Sequence, residues 1–203
     1  MKKILFAAVA LALNGAAQIR AETTPPPKLA RVEGVVTRIS PDQVTLAEAG
    51  GKVETIALVP GWGVLVSKSI SVNEIKPGSY LGTTNTAKPD GTGRSIEVHV
   101  SPPGVKGPGL DFVMDAATNT TMTNGIVATV AKTGGGRLLD VNYGFGDRHI
   151  TVPPGVPVVL NVPGGHELVK VGHTIRVTTF TPPTGGTVHQ FITVGTHGAP
   201  PPG

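Results

Sequence analysis

The chain has 203 residues, with 17 Lys+Arg against 13 Asp+Glu, 28 glycines, 19 prolines and no cysteine. The missing cysteines exclude a disulfide scaffold and a lipidated N-terminus of the lipobox type. So much Gly and Pro, with few long helical patterns, suits many short strands joined by tight turns, and the length allows one large or two small domains.

Residues 1–21 read as a secretory signal peptide. Lys2 and Lys3 form a basic start, Ile4 to Leu13 is an apolar run, and Ala21 is a small residue at a cleavage edge. Ile19, two places earlier, is unusual there and leaves cleavage after Ala17 as the alternative. The apolar run is about half of what a spanning helix needs, and no later stretch is long and apolar enough to cross a membrane. Export removes Lys2, Lys3 and Arg20, so Lys+Arg falls from 17 to 14 against 13 acids. The pI of about 9.5 therefore gives no reason to expect nucleic acid as a partner. The expected location is the periplasm, or secretion, after cleavage.

Residues 22–30, ETTPPPKLA, form a proline-rich leader. The first β-unit, 31–101, opens with VEGVVTRI, where Gly34 suits a bulge. QVTLA and the run from Val53 to Val59 come next as a hairpin, Val64 to Val66 is a short apolar run, and SVNEI suits one helical or 3₁₀ turn. Tyr80 to Thr86 and the alternating IEVHV close the unit. A Gly/Pro-rich linker occupies 102–122. The second β-unit, 123–195, begins with TNGIV and holds strands at Leu138 to Tyr143 and Arg148 to Val152, joined through Gly144-Phe145-Gly146. The tail, 196–203, is expected to be disordered.

The two units share a register. Shifted by 94 positions without a gap, Ile56, Pro60, Gly61, Val64, Lys76, Gly78, Thr84, Pro89, Gly91 and Val100 fall on Ile150, Pro154, Gly155, Val158, Lys170, Gly172, Thr178, Pro183, Gly185 and Val194. Upstream, Gly34-Val35-Val36 matches Gly125-Ile126-Val127 at an offset of 91, which assigns three extra residues to the first hairpin of the second unit, around Gly134-Gly135-Gly136. The shared residues are turn and core types, not acid–base or nucleophilic ones. The expectation is an all-β chain of two tandem small OB-like β-barrels related by internal duplication. Each is small enough to need a partner surface, so a barrel–barrel interface is expected.

VEGVVTRIS, then IKPGSYLGTT, PDG and SIEVHVSP, with TMTNGIVATV and ITVPPGVPVV in the second unit, resemble the DUF5666 family of exported bacterial proteins of unknown function, in its two-copy proteobacterial form. The resemblance spans roughly residues 30 to 195. It implies β-barrel domains in the cell envelope and supplies no catalytic residues. Some relatives carry the label metal ABC transporter permease, which this sequence contradicts, because a permease needs several spans.

Three chemistries come into question. The six histidines, His99, His149, His166, His173, His189 and His197, show no metal-ligand spacing. Alternation places His99 on the solvent side beside an outward Glu97. No G-x-S-x-G or other nucleophile–base set occurs, so no catalytic residue is assigned and the chain is read as not an enzyme. Near-neutral charge argues against nucleic acid. What remains is a non-catalytic binding or interaction module of the envelope, taking a protein or glycan. The alternative is a periplasmic metal-ion or small-ligand binder, although no cofactor and no ligand set is assigned. Trp62, Phe145 and Phe191 are the candidate interaction surface, each with a packing role as the competing reading. Phe191, which aligns with Glu97, fits a barrel–barrel contact.

Overall fold

The computed structural model describes residues 27–182 and 186–202. The signal peptide, most of the leader, and Pro183 and Gly185 of the shared register lie outside them. The described residues are all β, apart from three short 3₁₀ turns. The strands are β1 (Lys28–Ser40), β2 (Gln43–Ala47), β3 (Val53–Ala57), β4 (Gly63–Ser69), β5 (Tyr80–Ala87), β6 (Gly93–Val100), β7 (Leu110–Asp115), β8 (Thr120–Thr133), β9 (Gly136–Asn142), β10 (Asp147–Val152), β11 (Val158–Gly164), β12 (Thr174–Thr181) and β13 (His189–Gly195).

All of them belong to one sheet, in the order β10-β9-β8-β5-β6-β11-β4-β13-β12-β1-β2-β3, with β7 added on β8. At one end the sheet curls until β10 meets β6 in parallel, pairing Ile150 with Gly93 and Thr151 with Arg94. This makes a closed five-stranded barrel of β10, β9, β8, β5 and β6. The other end, β3-β2-β1-β12-β13 with β4, has the same arrangement, but among the described residues its last strand does not pair back to β13. There, Gln190 bridges the seam by side chain, accepting from Val59 N at 3.1 Å and donating to Ala57 O at 3.2 Å. We call these parts the closed barrel and the open lobe.

The cores do not follow the order of the chain. The closed barrel packs Leu81, Val98 and Val100, from before the linker, against Val127, Leu139, Val141, Ile150 and Val152, from after it. The open lobe packs Val36, Val44, Leu46 and Val64 against Ile175, Val177, Ile192 and Val194. Tandem units cut at 31–101 and 123–195 place each core within one unit. Instead, each hydrophobic core draws strands from both, because β1 pairs with β12 and β8 with β5.

Local features recur at matching places. Register shifts interrupt β1 between Val36 and Arg38, and β8 between Val127 and Thr129. Each bulge is clasped by a turn from the other side of the linker. Val36 N donates to His173 O and Gly172 N to Val36 O, both at 2.9 Å; Val127 N donates to Ser79 O and Gly78 N to Val127 O, both at 2.8 Å. Gly78 and Gly172 hold φ of 86° and 88° in those turns, a left-handed conformation that disfavours side chains. The hairpins differ in a way the sequence register hides. Val36 pairs with Leu46 but Val127 with Val141, so the first hairpin of the second unit is longer by four residues. Val44 pairs with Ile56 but Leu139 with Ile150, so its second hairpin is shorter by one.

Two segments differ from expectation. The latter part of the 102–122 linker is strand β7, paired antiparallel with β8, which itself starts at Thr120. In the tail, Thr196–Gly198 forms a 3₁₀ turn and Pro201 is buried, so the chain packs there instead of fraying.

Candidate functional site

Where the closed barrel meets the open lobe, β11 runs antiparallel to β4, with Ser67 opposite Asn161 and Val66 opposite Val162. Ser67 and Asn161 are themselves 94 positions apart. A groove of about 380 Å³ lies along this seam, floored by Leu65, Asn161 and Pro163 and walled by β1 and β12 of the open lobe and β5, β6 and β8 of the closed barrel.

Alternation along the strands decides which side chains reach it. On β1, Val32 and Val36 turn toward the lobe core, so Leu29 and Arg31 face the groove. On β8, Thr121 and Thr123 turn inward, and Met122 and Asn124 face the groove. On β13, Ile192 and Val194 enter the core and leave Phe191 and Thr193 outside.

A polar chain crosses beneath this surface. Ser67 Oγ donates to Asn161 Oδ1 at 2.6 Å, and Asn161 Nδ2 lies 3.0 Å from His99 Nδ1. His99 Nε2 lies 3.4 Å from Glu97 Oε2. Arg31 NH1 at 2.8 Å and Thr84 Oγ1 at 2.7 Å both donate to Glu97 Oε1. Burial pushes the Glu97 carboxyl upward, but the bond and charge of His99, then the charge of Arg31 and the Thr84 hydroxyl, outweigh it and hold the group well below the usual carboxylate range. Glu97 is therefore an anion at neutral pH. Arg176, on the opposite wall, donates from Nε and NH2 to Glu33 Oε2 at 2.9 and 2.6 Å.

The three candidate aromatics part company. Trp62 is buried and caps the open lobe: its indole stacks on His166, ring centroids 3.7 Å apart and 8° from parallel, and its Nε1 donates to Pro41 O at 3.4 Å. It offers no surface. The counterparts of Trp62 and His166 in the closed barrel, Val156 and Val72, also pack on a core. Phe145 is 92% exposed at the β9–β10 hairpin tip. Phe191, 40% exposed, lies on the groove, over Gly63. Glu97 and His99 are not on open solvent, as alternation suggests, because the neighbouring lobe covers them. Sequence reasoning does not single out Arg31, Asn124 or Asn161; the alternation of Leu29 and Arg31 with Ala30 and Val32 is the signal that could have found the first.

Chemically, the groove can bind. One aromatic face, aliphatic walls and several planar hydrogen-bonding groups converge on it. Among the described residues, no group of three or more His, Asp or Glu side chains converges as metal ligands. His149 and Asp140 touch, and Asp140 also takes the Thr129 hydroxyl, at the surface of β9 and β10. No helix among the described residues is long and apolar enough to cross a membrane. No family model, no curated protein and no solved structure matches the chain.

Proposed function

We propose that the chain is an exported, non-catalytic binding module of the bacterial envelope, and that the groove along β4 and β11 holds its ligand. The observation that carries this reading is the groove itself: the half-exposed Phe191 ring stands beside Arg31, Asn124, Asn161 and Thr193, next to a buried Glu97 that accepts from Arg31 and Thr84. An aromatic face with flat amide and guanidinium donors suits a hydroxyl-rich ligand such as a glycan, which offers an apolar ring face and many acceptors. Export rests on Lys2, Lys3 and the apolar run from Ile4 to Leu13.

Two further readings belong with this one. The shared 94-residue register, the matching bulges in β1 and β8 and the glycine-bearing turns at Gly78 and Gly172 support descent from one duplicated OB-like module, with the copies exchanging strands. The VEGVVTRIS, IKPGSYLGTT and SIEVHVSP motifs support membership of the DUF5666 family. The alternative function, metal or small-ligand binding, has less behind it: Glu97–His99 and Asp140–His149 each supply two donors, fewer than a structural or catalytic site uses.

Binding of the mature chain to an array of envelope and capsular glycans tests the proposal. Binding that weakens at least tenfold in Phe191→Ala and in Asn124→Ala supports it. No binding on the array, together with a thermal shift on a divalent metal that chelation reverses, overturns it in favour of the metal reading.

A further inference from the structure

In the closed barrel, β8 is covered on both edges over its first residues. On one side it pairs with β5 from Thr120 to Ile126. On the other it pairs with β7, which sets Leu110 against Asn124, Asp111 against Thr123, Phe112 against Met122 and Val113 against Thr121. β7 is anchored from beneath. Asp111 accepts from Thr123 Oγ1 at 2.6 Å and from Arg148 NH2 at 3.0 Å, so Arg148 of β10 clasps the strand into the barrel wall.

Among the described residues, the open lobe has the same frame without that strand. β1 pairs with β12 from Lys28 to Val35, in the register that β8 keeps with β5, and meets β2 only from Val35 onward. Among the described residues, the other edge of Leu29–Glu33 has no strand partner. Exposure differs as well: Thr121 and Thr123, flanked by β7, are 2% and 0% exposed, whereas their counterparts Ala30 and Val32 are exposed and half-buried. An unpaired edge with a ready register is a template for one more strand.

The chemistry of the slot is inverted relative to the filled one. Val32 stands where Thr123 stands, and Glu54 stands where Arg148 stands, since Glu54 pairs with Leu46 as Arg148 pairs with Val141. Glu54 shares Lys52 with Glu48, which leaves one net negative charge in the trio; nearby, Glu33 is taken by Arg176. A strand carrying Asp at the position of Asp111 would meet a carboxylate. One carrying Arg or Lys there would meet its complement, while its apolar stem lies on Val32.

We propose that the edge of β1 left unpaired among the described residues, Leu29–Glu33, is a strand-addition site for an extended segment of a partner protein, antiparallel to β1, with a basic side chain directed at Glu54. The inference does not depend on what the groove binds.

The probe is a fluorescent peptide of residues 108–117 with Asp111→Arg, compared with the unaltered peptide, against the mature wild-type chain and Glu54→Arg. The Arg peptide is expected to bind wild type at least tenfold more tightly than the unaltered one and to slow amide exchange within Leu29–Glu33. Glu54→Arg should reverse the order of the two peptides, with a thermal melt of the variant confirming that it is folded. The same preference in Glu54→Arg, protection that maps to Thr120–Asn124 instead, or no protection by either peptide overturns the proposal. So does protection of Leu29–Glu33 in the chain alone that disappears when residues 22–27 are deleted, since the leader would then be the occupant.

Discussion

Ser67 and Asn161 occupy corresponding positions in the two halves of the chain, face each other across the β4–β11 ladder, and are joined by a 2.6 Å hydrogen bond. The contact lies on the ladder that joins the closed barrel to the open lobe. Ser67 is fully buried. Asn161→Ala strips the partner from Ser67 Oγ and from His99 Nδ1 together. Leaving buried polar groups unpaired costs about 1–3 kcal/mol, or a fall of roughly 2–4 °C in Tm per kcal/mol for a chain of this size. Ser67→Ala, which removes the donor with its need, should cost less. A double-mutant cycle by urea denaturation should return a coupling of about 0.5–3 kcal/mol, and strict additivity would mean the bond contributes nothing.

The other end of the same polar chain responds to acid. The folded Glu97 carboxyl lies below its unfolded value, near 4.5. A group depressed in this way stabilises the fold above the unfolded value and loses that contribution as pH falls below it. Glu97→Gln should thus be less stable than wild type at pH 7, and the gap should narrow as the pH falls from about 5 toward 3. Asp90, Asp115 and Asp140 are also held low, so the difference between the two proteins, not the wild-type curve alone, is the quantity to measure. A gap that stays constant with pH would remove Glu97 from the acid response.

How much of the molecule is legible in its sequence differs by residue. Gly61, Gly78, Gly155 and Gly172 read as turns because the signal is local, and each does take positive φ. The strand exchange is not legible. Leu81 and Ile175 are interchangeable as core residues, and an alternating strand buries the same face whichever barrel it enters, so pattern cannot choose between pairing within a unit and pairing across units. β4 shows in the sequence only as the apolar run at Val64 to Val66, yet it joins the two parts of the molecule. The groove is half visible. The alignment of Phe191 with Glu97 points to one region, where Phe191 lines the groove and Glu97 accepts from Arg31, but Arg31, His99 and Asn161 converge only because strands from distant places in the chain are brought together.

Among the described residues, Gln190 takes the place of strand pairing at the open seam. Its counterpart in the closed barrel is Ile96, which is 48% exposed on β6. Gln190→Ala should lower stability by about 1–3 kcal/mol, since Val59 N and Ala57 O lose their partner, and amide exchange at Val59 should quicken. Ile96→Ala should stay within about 0.5 kcal/mol as an ordinary surface change. Equal effects at the two positions would show that the seam is held by something other than Gln190.

Trp62 and Phe145 separate packing from surface. Trp62→Ala removes the cap of the open lobe and the His166 stack, at a cost of about 3–5 kcal/mol. Phe145→Ala changes a ring that is 92% exposed and should shift stability by no more than about 0.5 kcal/mol. Thermal melts of the two variants side by side settle the assignment, and a large loss in Phe145→Ala would mean that the hairpin tip docks on the rest of the chain.

The exchange of strands gives the sharpest test of the fold. A protease site placed between Pro103 and Gly104, in the exposed stretch before β7, cuts the chain without cutting a strand. The closed barrel then holds β5 and β6 from one fragment and β8, β9 and β10 from the other, and the open lobe likewise draws on both. The cleaved fragments should therefore elute together at the size of the intact protein and separate only in denaturant. Residues 27–103 expressed alone should lack cooperative unfolding, because Leu81, Val98 and Val100 lose Val127, Leu139 and Ile150, and Val36 and Leu46 lose Ile175 and Ile192. A cooperative melt from a monomeric 27–103 fragment would show that each half can close on itself, and would count against the exchanged arrangement.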